Sequence, residues 1–168
     1  MNPRARLVDQ IMEVMDAAFD PAFGEAWNRR QIADALVLPS THALVLDAGG
    51  DIIASSDRTG HGEWSAQDEA ASPAGFVLTR HGGGEEELLL IGVIPACRRR
   101  GLGQMLIDRL FDAARARGAT RIFLEMRRGN PAVNLYRKVG FEPIGERPNY
   151  YRLANGSRVD AITFGRSI

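Results

Sequence analysis

Apolar residues recur every three or four positions near the start of the chain, which is the spacing of an amphipathic helix. The first segment with this spacing runs from Arg4 to Phe19. The second begins after Asn28, which stands three residues before Gln31 in the pattern of a capping box, and it stops at Pro39. The pattern therefore predicts two helices before the first strand.

Short apolar runs bounded by glycine, proline and polar residues predict the strands of a sheet. These runs are Ala43 to Leu46, Ala74 to Arg80, Glu87 to Ile94, Arg121 to Met126, Phe141 to Arg147 and Val159 to Phe164. Residues 81–86 join the second run to the third and contain three consecutive glycines. Such a turn-rich connector suits an antiparallel pair of central strands.

Two more helices are predicted between these strands. One follows Gly101 and keeps helical spacing up to Gly118. The other is short: we expect Asn130 to cap it, Pro131 to occupy its first position and Gly140 to end it. Two helices followed by strands that alternate with helices predict an α/β fold with a mixed sheet.

One segment departs from this pattern. Residues 49–72 are rich in glycine, serine, aspartate and glutamate, and such a stretch is long for a loop within a compact domain. We therefore expect a mobile surface insertion at 49–72, within a single domain that covers residues 1–168.

The composition argues against several classes of protein. Lysine plus arginine and aspartate plus glutamate each number 21, so the formal net charge is zero and the basic character of a nucleic-acid-binding protein is missing. Cys97 is the only cysteine, and no histidine has a partner at ligand spacing, so neither a disulfide nor a metal site is predicted. Charged residues interrupt the first 19 positions and no apolar run approaches a membrane span. We expect a cytoplasmic protein that binds neither membrane nor nucleic acid.

A candidate anion site lies where the strand ending at Val93 leads into the helix after Gly101. The connection carries three consecutive arginines, residues 98–100, and Gly103 follows. Glycines let the backbone approach a phosphate, and the N–H groups and dipole at a helix start attract it. The alternative is a solvated loop whose glycines only turn the chain. The pattern of a dinucleotide site and that of a P-loop are both incomplete, so neither NAD nor a nucleoside triphosphate is indicated.

This connection resembles the acyl-CoA pyrophosphate loop of the GNAT acetyltransferase superfamily, whose pattern is Gln or Arg, two residues, Gly, one residue, then Gly or Ala. Arg98, Gly101 and Gly103 occupy the three patterned positions. The runs Leu124-Glu125-Met126 and Leu135-Tyr136-x-x-x-Gly140-Phe141 resemble the second half of the same fold. The resemblance covers most of the chain from about Phe19 onward, apart from the segment 49–72.

The resemblance implies a GNAT fold: a mixed, mostly antiparallel sheet of about six to seven strands, flanked by four helices. It also implies acetyl-CoA as co-substrate, bound where the central strands splay apart. The implied cofactor-binding residues are Ile91, Gly92, Val93, Arg98, Arg99, Arg100, Gly101, Leu102, Gly103, Gln104 and Asn130. The first three would donate backbone N–H groups to the thioester oxygen. The spacing from Asn130 to Tyr136 is one residue shorter than the family usually has.

Glu125 stands in the middle of an apolar strand, and the alternation of strand side chains puts it opposite Leu124 and Met126. An amine must lose a proton before it attacks a thioester, and a nearby carboxylate can accept that proton directly or through water. The resemblance implies that Glu125 is this general base. From the residues alone, a solvated carboxylate or one paired with Arg127 or Arg128 is an equally good interpretation.

Tyr136 is the general acid that the resemblance implies, protonating the CoA thiolate as it leaves. The residues alone predict a core aromatic, because Val133, Tyr136 and Val139 share one face of the short helix. The two roles are compatible. Cys97 lies beside the cofactor loop and has no implied role, because the family transfers the acetyl group directly.

The run Arg147-x-Asn149-Tyr150-Tyr151 and residues 160–162, with Phe23 and Trp27, resemble one branch of the superfamily. That branch acetylates the N-terminal alanine of a small-subunit ribosomal protein, so a ribosomal protein N-terminus is the implied acceptor. Acetylation of another protein N-terminus or of a small amine is an alternative, and a non-catalytic acyl-CoA sensor is another. The implied catalytic pair argues against a sensor, which needs neither residue.

Overall fold

The structure is a computed structural model that describes residues 2–57 and 71–168. Within these residues lie four α-helices: α1 Pro3–Ala18, α2 Arg29–Ala35, α3 Leu102–Ala116 and α4 Val133–Lys138. The same residues form seven strands: β1 Thr41–Asp47, β2 Ile52–Ser55, β3 Pro73–Gly82, β4 Glu85–Val93, β5 Arg121–Arg127, β6 Glu142–Arg152 and β7 Arg158–Ser167. Single 3₁₀ turns lie at Pro21–Phe23 and Pro95–Cys97.

The described strands form one sheet in the order β2-β1-β3-β4-β5-β7-β6. β4 and β5 at its centre run parallel, and the remaining neighbours run antiparallel. The prediction of a mixed, mostly antiparallel sheet in an α/β fold is confirmed. The predicted capping box of α2 is also present, because Asn28 and Gln31 exchange side-chain to backbone hydrogen bonds.

Helices cover both faces of the sheet, each over its own hydrophobic cluster. Ile11 of α1, Ile32 of α2 and Phe76 of β3 belong to one cluster. Leu106 of α3 and Ile122 of β5 belong to the other, which also takes in α4. Each helix presents one apolar stripe to the sheet, as the spacing in the sequence predicts. None of the described helices is long and apolar enough to span a membrane.

β4 carries a bulge at Leu89. Leu90 pairs with Leu78 of β3 and Leu88 pairs with Thr79, which leaves Leu89 without a partner in the ladder. Leu88 therefore joins the cluster under α3 and Leu90 joins the cluster under α1, although residues two apart in a regular strand share a face. Pairing of β4 with β5 also ends at Leu88. The two central strands diverge beyond the bulge and leave a gap between them.

The predicted insertion at 49–72 is wrong in its first part. Ile52–Ser55 forms β2, which pairs with β1 at the edge of the sheet. The turn before it contains Gly50 with a φ of 89°, and the Gly50 N–H donates to the carbonyl of Asp47 at 3.1 Å. Apolar residues after a glycine turn are typical of a hairpin, but the polar residues around Ile52–Ser55 obscure this signal in the sequence. Residues 58–70 lie outside the described residues, so the expectation of a mobile insertion there stays a prediction.

The start of α4 also differs from the prediction. Ala132, not Asn130, directly precedes the first helical residue, Val133. The Asn130 side chain instead accepts the N–H of Ala132 at 2.9 Å, and its carbonyl accepts the N–H of Val133 at 3.2 Å. Asn130 and Pro131 therefore form a turn ahead of the helix, because an asparagine side chain can close such a turn by itself.

A charged cluster is buried near the start of β4, at the opposite end of the strand from the gap. Glu86 has no exposed surface, and its carboxylate pairs with the guanidinium of Arg117 at the end of α3. The Thr79 hydroxyl donates to Glu86 at 2.8 Å, and His81 Nδ1 lies 2.9 Å from the same carboxylate. Arg117 also contacts Asp57 at 2.9 Å. Every charge in this cluster thus has an opposite charge or a hydrogen-bonding group beside it, as buried charges require.

Candidate active site

A cleft opens where β4 and β5 diverge. Its volume is about 1010 Å³, at the upper end of the range for small-molecule sites. The second half of β4 and the end of β5 form its floor, and the starts of α3 and α4 form one side. The other side is the segment of residues 19–28 that joins α1 to α2, which we call the α1–α2 loop. With Tyr151 of β6, the cleft collects residues from six separate parts of the chain.

The first turn of α3 faces this cleft without a side-chain cap. Gly101 precedes the helix with a φ of 81°, and Leu102, Gly103 and Gln104 line the cleft beside it. A Cβ at Gly101 would meet nothing within 4 Å, so the space in front of the helix is open. The N–H groups of a first helical turn have no intrahelical partner and attract an anion. This uncapped turn beside open space fits the pyrophosphate of an acyl-CoA.

The three arginines of the loop before α3 have different surroundings. Arg98 donates from Nε to the carbonyl of Val93 at 3.0 Å and from Nη2 to the carbonyl of Ala18 at 2.7 Å. Its side chain is therefore engaged within the protein. Arg99 lines the cleft and has a φ of 61°, a conformation that is uncommon for a residue with a side chain. Arg100 is exposed and does not line the cleft. Arg99 is the best placed of the three to meet an anion with its side chain.

Backbone donors point into the gap from alternate residues of β4. The N–H of Ile94 donates to the carbonyl of Ala74 in β3 at 2.9 Å. Because an antiparallel ladder alternates, the N–H of Gly92 also faces β3, while those of Ile91 and Val93 face the gap. Gly92 is thus misplaced among the predicted N–H donors. Its role is steric.

Gly92 makes room for aromatic packing beside the cleft. A Cβ at this position would lie 2.9 Å from Cε1 of Phe76 and 3.0 Å from Cε2 of Phe19. Only a residue without a side chain therefore lets Phe19, the first residue of the α1–α2 loop, pack down on β4.

Glu125 faces the cleft from β5, on the opposite side of the strand from buried Leu124 and Met126. Its side chain is 22% exposed. Arg147 Nε lies 3.2 Å from Oε2, and the Thr163 hydroxyl lies 3.5 Å from the same oxygen. Within the described part of the chain, Oε1 makes no hydrogen bond. The carboxylate is therefore oriented through one oxygen and presents the other to the cleft.

The partner of Glu125 differs from both arginines that the sequence suggested. Arg127 pairs with Glu25, and Arg128 pairs with Glu146. Strand alternation explains why Arg128 does not reach Glu125, because residues three positions apart point to opposite sides of a strand. Arg147 reaches the carboxylate from β6, across the intervening strand β7.

Tyr136 lines the cleft where α4 meets the core. It is 6% exposed, and its ring packs edge-on against Phe141 with the ring centres 5.9 Å apart. Burial raises the pKa of Tyr136 well above its ordinary value, so the phenol keeps its proton across the working range of pH. Tyr136 is therefore a core aromatic, as the sequence predicts, and the same residue lines the cleft.

A wide bulge in β6 brings a second tyrosine to the cleft. Arg147 pairs with Ala161 and Tyr151 with Val159, so three residues of β6 lie opposite a single residue of β7. Asn149 within the bulge has a φ of 53°. Tyr151 lines the cleft, and burial together with the charge of Glu125 raises its pKa to about 12. Its phenol is therefore a neutral hydrogen-bonding group at neutral pH.

Glu25 occupies the cleft wall from the α1–α2 loop. Its carboxylate pairs with Arg127, and Oε2 accepts the side-chain N–H of Asn130 at 3.2 Å. Burial raises the pKa of Glu25, and the charge of Arg127 partly offsets that effect. The Asn130 side chain is thus bonded on both sides, to Glu25 and to Ala132. Its predicted contact with the cofactor stays a prediction.

Neither Glu25 nor the pairing of Arg147 with Glu125 is predicted from the sequence. A signal for Glu25 exists, since it is the only charged residue between Phe23 and Trp27 in an otherwise small and apolar stretch. Within the described residues, no group of three or more His, Cys, Asp or Glu side chains is arranged to hold a metal ion.

Known protein families and solved structures resemble this chain in sequence and in fold. The model of the acetyltransferase (GNAT) family matches residues 8–141. The crystal structure of the ribosomal-protein-S18-alanine N-acetyltransferase from Escherichia coli is similar, with a TM-score of 0.71 and 25% sequence identity. That similarity covers 96% of this chain and 87% of the other.

Two relatives are similar in sequence over about half of the chain. The ribosomal protein bS18-alanine N-acetyltransferase of Salmonella typhimurium is 41% identical over 90 residues, which is 53% of this chain and 60% of that protein. The N-alpha-acetyltransferase RimI of Mycobacterium tuberculosis is 45% identical over 83 residues, 49% of each protein. The matched segments therefore span 49% to 60% of the length of these relatives.

Proposed function

Because this chain belongs to the acetyltransferase (GNAT) family, we propose that it transfers the acetyl group of acetyl-CoA to the N-terminal α-amine of a protein. The acceptor is the N-terminal alanine of a small-subunit ribosomal protein, the acceptor class for which the Salmonella and Escherichia proteins are named. One observation carries the proposal: the gap between β4 and β5 joins an uncapped helix start to an inward-facing carboxylate, Glu125. The first suits a pyrophosphate and the second suits an amine.

Acetyl-CoA lies along the second half of β4 in this proposal. The N–H groups at the start of α3 and the charge of Arg99 hold the pyrophosphate. The pantetheine chain follows the unpaired edge of β4, where backbone groups have no partner in β5. The thioester then reaches the region between Ile91, Glu125 and Tyr136, which all line the cleft.

Glu125 takes the proton from the acceptor ammonium in the first step. The reference pKa of an α-amino group is near 8, so most of the acceptor is protonated at neutral pH. Transfer of this proton to Glu125, directly or through one water, frees the nitrogen lone pair. Arg147 and Thr163 hold Oε2, so Oε1 is the oxygen that receives the proton. The amine nitrogen then attacks the thioester carbon and forms the C–N bond.

Two backbone N–H groups and one tyrosine side chain act on the thioester. Negative charge gathers on the carbonyl oxygen as the bond forms, and the N–H groups of Ile91 and Val93 face the gap to stabilise it. The C–S bond then breaks, and the thiolate receives the proton of the Tyr136 hydroxyl. The nitrogen loses its remaining extra proton as it becomes a neutral amide, and this proton restores the Tyr136 phenol through water. Glu125 releases the proton that it accepted to solvent. The products are an acetylated α-amine and CoA.

The choice of acceptor is tested with peptides that differ at one feature. A peptide beginning with alanine, the same peptide with a blocked N-terminus and a free lysine, and a polyamine are each incubated with acetyl-CoA, and products are read by mass spectrometry. We expect acetylation of the alanine α-amine alone. Preferential reaction of the lysine or polyamine would leave an acetyltransferase with a different acceptor, and binding of acetyl-CoA without transfer to any amine would favour the sensor.

Replacing Gly103 by valine is expected to weaken acetyl-CoA binding at least ~10-fold, equivalent to about 1.4 kcal/mol. A Cβ at Gly103 would lie 2.9 Å from Cδ2 of Leu135, so the added side chain crowds the first turn of α3 where the pyrophosphate binds. Leu135 is flexible enough at its end for the variant to fold. Isothermal calorimetry with acetyl-CoA measures the change.

The matched control is Gly82→Val in the β3–β4 hairpin, where a Cβ meets nothing within 4 Å. That variant should bind acetyl-CoA as the wild type does. An unchanged affinity in a folded Gly103→Val protein would show that the cofactor lies elsewhere.

A further inference from the structure

The α1–α2 loop forms a wall of the cleft with little regular structure of its own. It contains a single 3₁₀ turn, Pro21–Phe23, in which the Asp20 side chain accepts the N–H of Ala22 at 2.9 Å. Gly24 then turns the chain with a φ of 63°. A loop of this kind defines a binding wall only where other elements hold it in place.

Arg127, at the end of β5, holds the part of the loop that contains Phe23 and Glu25. Its guanidinium carbon lies 3.6 Å from the centre of the Phe23 ring, and the same group pairs with the Glu25 carboxylate. The Arg127 and Glu25 side chains are only 11% and 19% exposed. A planar guanidinium can stack on a ring and bind a carboxylate at once, which a lysine ammonium does less well.

The ion pair of Arg127 and Glu25 is also connected to α4, the helix that carries Tyr136. Glu25 accepts a hydrogen bond from Asn130, and Asn130 forms the turn that leads into α4. Arg127 itself lies two positions after Glu125 on the same face of β5. One guanidinium therefore ties the acceptor side of the cleft to both implied catalytic elements.

The half of the loop that follows α1 is held by residues from other elements. Arg98, in the loop before α3, donates to the carbonyl of Ala18, the last residue of α1 before the loop, at 2.7 Å. The backbone N–H of Ala154, in the β6–β7 connection, donates to the carbonyl of Ala22 at 3.0 Å. The loop thus bridges the gap, with an arginine from the exit of β4 at one end and an arginine from β5 at the other.

We propose that Arg127 is a positioning residue for the acceptor: by holding Phe23 and Glu25, it sets the distance between the α1–α2 loop and Glu125. This inference rests on the proposed function, since it needs an acceptor amine in the cleft. Arg127 acts through the loop and makes no contact with the reacting atoms, so it affects acceptor binding more than the chemical step.

The test compares Arg127→Met with wild type in three measurements. We expect the KM for an alanine-first peptide to rise about 10-fold or more, with kcat within about threefold and the acetyl-CoA Kd within about twofold. Hydrogen exchange, measured without peptide, should become faster at the backbone amides of residues 19–27 and stay unchanged in β1 and β3. Arg127→Lys should give an intermediate KM, because it keeps the charge but loses the planar stack.

Arg128→Met is the matched control, since the neighbouring arginine pairs with Glu146 and Asp160 on the surface outside the cleft. It should leave all three measurements near wild type. Arg127→Met leaves the Glu25 carboxylate without its cation. The double variant Glu25→Gln with Arg127→Met removes that charge, so its thermal stability should be higher than that of Arg127→Met, while the peptide KM stays high.

Two outcomes would overturn the proposal. One is a peptide KM in Arg127→Met within about twofold of wild type, and the other is a KM that returns to wild type in the double variant, which would mean that Arg127 serves stability alone. If wild type transfers acetyl to no peptide, the proposed function fails. Hydrogen exchange then still decides whether Arg127 holds the loop, and unchanged exchange at residues 19–27 in Arg127→Met rejects it.

Discussion

Glu125→Gln is expected to lower kcat by roughly 10² to 10⁴, the usual contribution of a general base. The amide keeps the size and the hydrogen bonds of Oε2 but cannot accept a proton from the acceptor ammonium. The acetyl-CoA Kd should stay within about twofold of wild type, because the carboxylate belongs to the acceptor half of the cleft. Single-turnover kinetics with an alanine-first peptide measure the chemical step without interference from product release.

A second carboxylate provides the control for this experiment. Glu146 lies on β6 and pairs with Arg128, and it does not line the cleft. Glu146→Gln should react at nearly the wild-type rate. If Glu125→Gln also turns over within about threefold of wild type while chemistry limits the rate, another group takes the proton.

Arg117→Met is expected to destabilise the fold by about 3–5 kcal/mol, the cost of removing one partner from a buried ion pair. Glu86 has no exposed surface, and without Arg117 its charge would be held in the interior by Thr79 and His81 alone. Denaturant unfolding at pH 7 measures the change. Arg115→Met is the control, because its contact with Asp112 at 3.5 Å is between exposed side chains and is expected to contribute little.

The effect of Arg117→Met should depend on pH in a defined direction. Burial by itself would raise the pKa of Glu86 and of Asp57, but hydrogen bonds from Arg117 to Glu86 and between His42 and Asp57, with the charge of Arg117, hold both below their ordinary values. A carboxylate whose pKa is lowered by folding stabilises the folded state fully at pH values above its ordinary pKa, which is near 4. That stabilisation is lost as the pH falls through the lowered pKa of the folded state. The difference between variant and wild type should therefore shrink below pH 4. A difference that stays constant would mean that Arg117 acts through packing.

Local patterns in the sequence predict much of the fold. Helical spacing gives α1 to within a residue or two, and the alternation of β5 predicts that Glu125 faces away from Leu124 and Met126. These predictions succeed because they depend only on the periodicity of one element and on one buried face. The start of α3 after Gly101 is predicted for the same reason, because the glycine and the helix that follows it are neighbours in the sequence.

The sequence did not predict features that depend on contacts between distant segments. Arg98 meets Ala18 across 80 positions and Asn130 meets Glu25 across 105, and no local pattern records such pairs. The length of β6 is underestimated for a different reason: nearly all of its residues are exposed, so it lacks the alternation that marks a half-buried strand. The bulge at Leu89 leaves no signal in a run of leucines, because neighbouring leucines fit either face of the sheet.

That one unpaired residue has a consequence for how this chain can change during evolution. Deleting Leu89 would restore the phase of β4, allow it to pair with β5 along its whole length and close the cleft. Exchanging the leucine for another apolar residue would leave the opening in place. The presence of a binding cleft is thus encoded by the number of residues in the strand, so an apolar substitution at Leu89 is tolerated where a single-codon deletion is not.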